Sequence, residues 1–259
     1  MYMSLEFEKK FLNVFGGITL PGVSTPYCAL FLSDPTDLGT AGIEISYSGY
    51  KRMPVIFGAP SAESGGIGIR NITETIYTVI PTGAGGTVQY IGVFDSEVGG
   101  TMYLYGKLTE PLILTEGEEP VLIADEMLFY SNGNLSNEYK KMMFNVLRGQ
   151  LIPGFVPHIS LWNGNPDISG LELSGTNYGR VALTMSNPVK TEGGQMSIKN
   201  TENAAFNRPT ATWGVWNYDV IMDKATGGFP VWVKERTGKT ISKGVMPKIA
   251  ANAVTIGVN

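Results

Sequence analysis

Two acid–arginine pairs are the first residues whose types and spacing could do chemistry. Glu44 and Arg52 lie eight residues apart, and Glu172 and Arg180 repeat that spacing, with Tyr50 and Tyr178 two residues before each arginine. A carboxylate and a guanidinium at such positions make either a ligand-binding pair or an ion pair that braces a sheet. The bracing role is the preferred reading. Asp95 and Asp223 recur as well, each just before a double glycine, Gly99-Gly100 and Gly227-Gly228. An aspartate at the head of a glycine-rich loop reads as a turn-former, because its short side chain bonds the backbone a few residues on.

Other reactive sets fail on composition or context. His158 is the sole histidine and aligns with Tyr27 in the first half of the chain, which argues against a shared catalytic or metal role. No Gly-x-Ser-x-Gly nucleophile elbow is present. One cysteine, Cys28, and one histidine do not make a conventional zinc site. The run Pro81–Thr87 looks like a phosphate loop, but it lacks the Lys-Ser/Thr ending and leads into a strand pattern. Glu116, Glu118 and Glu119 could hold a cation, yet the second half carries Lys243, Val245 and Met246 there. The sequence therefore predicts no catalytic residues, no metal and no cofactor, and a protein that is not an enzyme.

What positions the paired residues is a hairpin written twice. Gly86–Asp95 runs through Gly99-Gly100 into Thr101–Gly106, and Gly214–Asp223 runs through Gly227-Gly228 into Phe229–Lys234, at a spacing of 128 residues. Self-similarity of this kind decides architecture before function. Each copy opens on an apolar stripe at helical spacing: Phe7, Phe11, Leu12, Val14 and Phe15 after Ser4, then Tyr139, Met143, Phe144, Val146 and Leu147 after Ser136. The serines read as N-caps, and each helix is expected to pack on its own sheet. Alternation in the hairpin predicts an inward face of Val88, Tyr90, Gly92 and Phe94, matched by Trp216, Tyr218, Val220 and Met222. Thr101, Tyr103 and Tyr105 are expected inward on the returning strand, while Gln89, Ile91, Asn217 and Asp219 form the side that admits water. The short polar run Ser131–Asn134 reads as the boundary between domains 1–130 and 131–259.

Composition narrows the function classes. Thirty-three glycines and fifteen prolines in 259 residues fit many turns and short strands, an all-β signature. A single cysteine forms no internal disulfide, so nothing points to an oxidising compartment. No apolar run is long enough to span a bilayer, and no membrane partner is expected. The net charge of −4 hides an asymmetry: residues 1–130 hold 6 Lys/Arg against 15 Asp/Glu (6 − 15 = −9), and residues 131–259 hold 13 against 8 (13 − 8 = +5). The positive charges are scattered, so no nucleic-acid footprint is expected. An acidic copy docking on a basic copy, within or between chains, is the sharper reading of the asymmetry.

Leu30–Pro35, Glu44–Arg52 and Gly86–Gly100, with their second-copy counterparts Asn165-Pro166, Glu172, Tyr178-Gly179-Arg180 and Thr212-Trp213-Gly214, occur in the same order in both halves. This order resembles the tail-associated and tail-fibre-like virion proteins of tailed bacteriophages. The resemblance implies a non-enzymatic virion component, made in the bacterial host cytoplasm and assembled into particles with other virion proteins. The low net charge and the apolar fraction of 43% add the expectation that copies of the chain form a symmetric assembly. The expectation is two tandem antiparallel β-sandwich-like domains, each with an N-terminal helix, serving a tail structure such as a baseplate, collar or fibre attachment. A head decoration or head-fibre protein is the alternative. A carbohydrate-binding module for the host surface is a third, with Trp162, Trp213 and Trp216 as candidate aromatics.

Overall fold

Serine side chains start both helices. In the computed structural model, which describes residues 2–258, Ser4 Oγ accepts from Phe7 N at 3.1 Å and opens α1 (Leu5–Leu12). Ser136 Oγ accepts from Tyr139 N, also at 3.1 Å, and opens α2 (Asn137–Asn145). Each cap satisfies a backbone donor that the helix itself leaves free. The same hydroxyls donate to Met102 O and Pro230 O, which ties each helix start to the returning strand of its hairpin. A 3₁₀ turn then carries each helix to Gly17 or Gly149.

The chain is 39% strand and 9% helical, and every sheet is antiparallel. In the first repeat the large sheet runs in the order Tyr2–Met3, Met102–Leu114, Gly86–Phe94, Tyr27–Phe31, Met53–Pro54. Its smaller partner sheet is Leu128–Ser131, Gly66–Arg70, Ser61–Glu63. The second repeat copies both. Pro230–Ile241, Gly214–Met222 and His158–Asn163 form its large sheet, with Val181–Ala182 and Leu171–Glu172 sharing the outer edge. Thr255–Gly257, Met196–Lys199 and Val189–Lys190 form its small sheet. Two tandem sandwich-like repeats result.

A buried amide fixes the corner of each small sheet. Asn71 Nδ2 donates to Thr73 O and Ile123 O, and its Oδ1 accepts from Met127 N at 2.9 Å. Asn200 makes the matching bonds to Glu202 O, Ala250 O and Val254 N. Both are fully buried. A buried amide is tolerated because each of these polar atoms finds a partner.

The long hairpins do not alternate simply, which corrects the expected faces. Register shifts between Val88 and Tyr90, and between Trp216 and Tyr218, set residues 108–111 against Gln89 and residues 236–238 against Asn217. Alternation breaks at Gln89 and Asn217, opposite these bulges, so the side chains before and after them face opposite sides of the sheet. Val88 therefore joins Ile91 and Val93 in the main core, whereas Tyr90 and Phe94 pack behind the sheet with Ala29, Phe31 and Met102. In the second repeat Trp216 and Ile221 face the main core, and Tyr218, Val220 and Met222 pack behind. Tyr103 and Val231 do point inward, while Tyr105 and Val233 belong to the clusters behind.

The repeats meet across a near-twofold seam. Leu20 and Ile152, equivalent residues 132 apart, exchange both backbone bonds, Leu20 N to Ile152 O at 2.9 Å and Ile152 N to Leu20 O at 2.8 Å. Flanking them, Val23 N donates to Val146 O and Phe155 N donates to Val14 O, again a matched pair. A Cβ on Gly22 would sit in the backbone of Gly149, and one on Gly154 in that of Gly17. Only glycine permits that approach. The helices complete the seam by reaching across it. α1 lies against Met102–Leu114 of its own repeat and Met196–Lys199 of the other, and α2 lies against Pro230–Ile241 and Gly66–Arg70. Each helix thus packs on its own large sheet, as expected, and also on the other repeat's small sheet. Phe11, Phe15, Tyr139 and Phe155 form the centre, with ring centroids 5.1–6.0 Å apart in the pairs Phe15–Phe155, Phe11–Tyr139, Phe15–Tyr139 and Tyr139–Phe155. Such pairs add about 0.5–1.5 kcal/mol each beyond area burial. One apolar cluster runs through both repeats.

Candidate functional site

The ten flagged residues gather into two equivalent clusters at the hairpin tips. In the first, Asp95 closes its loop with two bonds: its N donates to Thr101 O at 3.1 Å, and its Oδ1 accepts from Thr101 N at 2.7 Å. Gly99 and Gly100 hold φ of 65° and 72°, and a Cβ on Gly100 would overlap the Asp95 carboxylate. Arg52 reaches under this loop. Its Nη1 donates to Gly99 O at 2.6 Å, and its guanidinium carbon lies 3.5 Å from the centre of the Phe94 ring. Its Nε and Nη2 donate to the two oxygens of Glu44 at 2.9 and 2.8 Å, a bidentate pair.

The second tip repeats the hydrogen-bonding arrangement, with Met222 in place of the Phe94 ring. Phe229 N donates to Asp223 Oδ1 at 2.8 Å, and Gly227 and Gly228 hold φ of 62° and 70°. Arg180 Nη1 donates to Gly227 O at 2.6 Å and Lys224 O at 2.8 Å. Its Nε and Nη2 donate to Glu172 at 2.9 and 2.7 Å.

A tyrosine in each cluster links the ion pair to the sheet. Tyr50 Oη donates to Glu44 Oε1 and accepts from Leu30 N, both at 3.1 Å. Tyr178 Oη donates to Glu172 Oε1 at 2.9 Å and accepts from Leu161 N at 3.1 Å. The outer edge of Tyr27–Phe31 is covered by Met53–Pro54 at one end, and Ile45 N donates to Leu30 O near the other. The Tyr50 hydroxyl fills the gap between them, so this edge offers no free template. Burial pushes the Tyr50 and Tyr178 hydroxyls well above the ordinary phenol range, with the neighbouring glutamates adding to it. The Glu172 hydrogen bond raises Arg180 in turn. The arginines donate through Nε, Nη1 and Nη2, and the glutamates accept at both oxygens. Little hydrogen-bonding capacity is left over for a substrate.

The sequence model of the family described as podophage GP4 fiber I protein gp80 matches the chain twice, over residues 2–128 and 134–257. The chain belongs to this family. Its two matches coincide with the two repeats, and each contains one complete tip cluster. No curated protein matches the chain. Membership in a podophage fibre family makes the role structural and tail-related and places the protein in the virion. No helix among the described residues is long and apolar enough to cross a membrane.

Beyond the tips, the fibre-family chain has a site that residue patterns did not reveal. A cleft of about 550 Å³ opens beside the seam, lined by Tyr2, Glu8, Asp37, Tyr105, Tyr130 and Gln195 among others. Glu8 sits at its floor and accepts from Met196 N of the other repeat at 2.7 Å. Burial, with help from Asp37, pushes its carboxyl up to about 7; the Met196 bond and Lys190 act the other way. Lys190 in turn meets Asp37 across the seam at 3.4 Å. At the equivalent position of α2 stands Lys140, whose ammonium is pushed down by burial and supported by Asp167. A charge inversion at one aligned helix position, Glu8 against Lys140, is the signal that the sequence carries of it.

The remaining sequence candidates fall where packing puts them. Trp213 and Trp216 are buried, and Trp162 is half-buried. The His158 ring Nδ1 lies 2.8 Å from Val156 O. Cys28 is buried, which pushes its thiol up to about 12 and leaves it without thiolate character at neutral pH. Glu116, Glu118 and Glu119 lie exposed on a turn, with Gly83 N donating to Glu116 Oε2 at 3.4 Å. Among the described residues no group of three or more His, Cys, Asp or Glu could hold a metal ion.

Proposed function

We propose that this chain is a non-enzymatic connector of the phage tail, joining neighbouring virion subunits through its two related repeats, 1–130 and 131–259. The observation that carries this reading is the duplicated match to a fibre family. Rigidity at the tips supports it. Bidentate Glu–Arg pairs, with side-chain exposure of 11% and 27% for Arg52 and Glu44 and 9% and 21% for Arg180 and Glu172, suit bracing better than turnover. In this reading the ten tip residues hold two loops in fixed shape so that each repeat presents a constant surface to a neighbour. The protein is made in the host cytoplasm and enters the particle during assembly. Its partners are other virion proteins and further copies of itself.

Electron microscopy of purified particles tests this directly. Density for both repeats at a tail position supports the reading, and absence of the chain from purified particles overturns it. A saccharide-binding role has one observation in its favour, the tyrosine-lined cleft with its carboxylates. A glycan array decides that point, since stacking rings and carboxylates recognise sugars without any change in the tail assignment.

A further inference from the structure

The last strand of each long hairpin runs on past its outer neighbour. Met102–Leu114 is paired on that side by Tyr2–Met3 at Leu104 and Tyr105. Pro230–Ile241 meets Leu135 at Trp232, and Val233 N donates to Asn134 O. Among the described residues nothing pairs with the outer edge of 106–114 or of 234–241. An unpaired edge is a template for another strand. These two edges are structurally equivalent and oppositely charged. Along and just beyond the first lie exposed Glu110, Glu116, Glu118 and Glu119 against one Lys107 (1 − 4 = −3). Along and just beyond the second lie exposed Lys234, Lys239 and Lys243 against one Glu235 (3 − 1 = +2); Arg236 is engaged internally by Asp219 at 3.4 Å.

We infer that the acidic edge of one copy takes the basic edge of the next, so that chains associate head to tail by strand addition. The inference rests on the reading of the chain as an assembly component. Like charges directly opposite each other disfavour acidic edge on acidic edge and basic on basic, so a closed symmetric dimer through one edge type is rejected. A heterologous contact leaves one edge of each kind free and therefore propagates into a ring or a filament. Pro111 carries no N–H, and the bulges at 108–111 and 236–238 interrupt each ladder, so backbone pairing is confined to short stretches. Charge therefore supplies much of the specificity. Ile113, 72% exposed in the acidic edge, adds an apolar contact.

Sedimentation velocity on the purified full chain tests this. At low ionic strength, species larger than a dimer grow with concentration, and near 1 M salt, where the Debye length is about 3 Å, they dissociate. The triple reversal Glu110→Lys, Glu116→Lys, Glu118→Lys weakens association about tenfold or more, and so does Lys234→Glu, Lys239→Glu, Lys243→Glu. Combining both reversals restores it, which separates lost attraction from lost folding. A wild-type chain that stays monomeric, stops at a dimer or is indifferent to either reversal overturns the inference. If such a chain is still found in purified particles, only the head-to-tail contact falls and the connector reading stands.

Discussion

Glu8→Gln is the most informative single substitution, because its effect has a sign that depends on pH. Glutamine keeps the acceptor for Met196 N and removes only the charge. The carboxyl rises from an ordinary 4.5 to about 7 in the folded chain, so the folded state holds this proton more tightly than the unfolded state does. Above about pH 7 both states are ionised, and the buried charge opposes folding in full. As pH falls through 7 toward 4.5 the folded state protonates first and the penalty fades. At about 1.36 kcal/mol per pH unit the full effect is about 3 kcal/mol. Water in the adjoining cleft screens the charge and reduces this to about 1–2 kcal/mol. Urea unfolding at about pH 8 and about pH 5 then shows the variant more stable than wild type at the higher pH and equal to it at the lower. A variant that loses stability equally at both would refute the reasoning, since it would mean that the charge itself holds the seam, through Lys190.

Three further perturbations probe the seam and the tips. Tyr139→Phe raises stability by about 1 kcal/mol, seen as a Tm increase of about 2–4 °C, because the buried hydroxyl has no hydrogen-bond partner among the described residues and the equivalent residue of α1 is Phe7; a lower Tm would show that the hydroxyl does have a partner. Glu172→Gln lowers stability by about 1–3 kcal/mol and speeds amide exchange in the Asp223–Phe229 loop, since Arg180 loses its counter-charge while half-enclosed; no change in either would favour a ligand role for the pair. Gly154→Ala places a methyl in the backbone of Gly17 and lowers stability by about 3 kcal/mol or more, whereas Gly133→Ala, with open space around it, has little effect. Equal melting of the two variants would mean that the repeats do not meet as described.

Local chemistry and the duplication were legible in the sequence; the relation between repeats was not. Ser4 and Ser136 announce their helices because capping depends on neighbours three residues away. The Glu44–Arg52 and Asp95–Gly100 sets could be flagged because they recur, although their convergence at one tip depends on a hairpin fold that brings Arg52 to Gly99 across 47 residues. Simple alternation misplaces the hairpin faces because a bulge breaks it without leaving a mark in the hydrophobic pattern, as at Gln89 and Asn217. The crossing of α1 and α2 onto the opposite small sheets was hidden for a different reason. An apolar stripe of Phe7, Phe11 and Phe15 shows that a helix is buried but not what buries it.

The two copies did not diverge uniformly, and the pattern of divergence has a physical reason. In a dimer of identical chains a substitution appears on both sides of the axis at once, so a charge introduced at the Glu8 position would face its own duplicate environment. Fusing the copies into one chain removes that coupling. Positions on the seam remain nearly alike, as Leu20 and Ile152, which bond each other, and Gly22 and Gly154, which approach Gly149 and Gly17, because each side constrains the other through direct contact. The tips also remain alike, since each ion pair is closed within its own repeat. The exposed edges, which meet neither constraint, have separated in charge, Glu110–Glu119 against Lys234–Lys243, and one buried helix position has too, Glu8 against Lys140. A molecule with a nearly symmetric frame and antisymmetric edges has a direction. A tail component needs one, because neighbours along a fibre or around a ring must be told apart from each other, and two identical edges cannot do that.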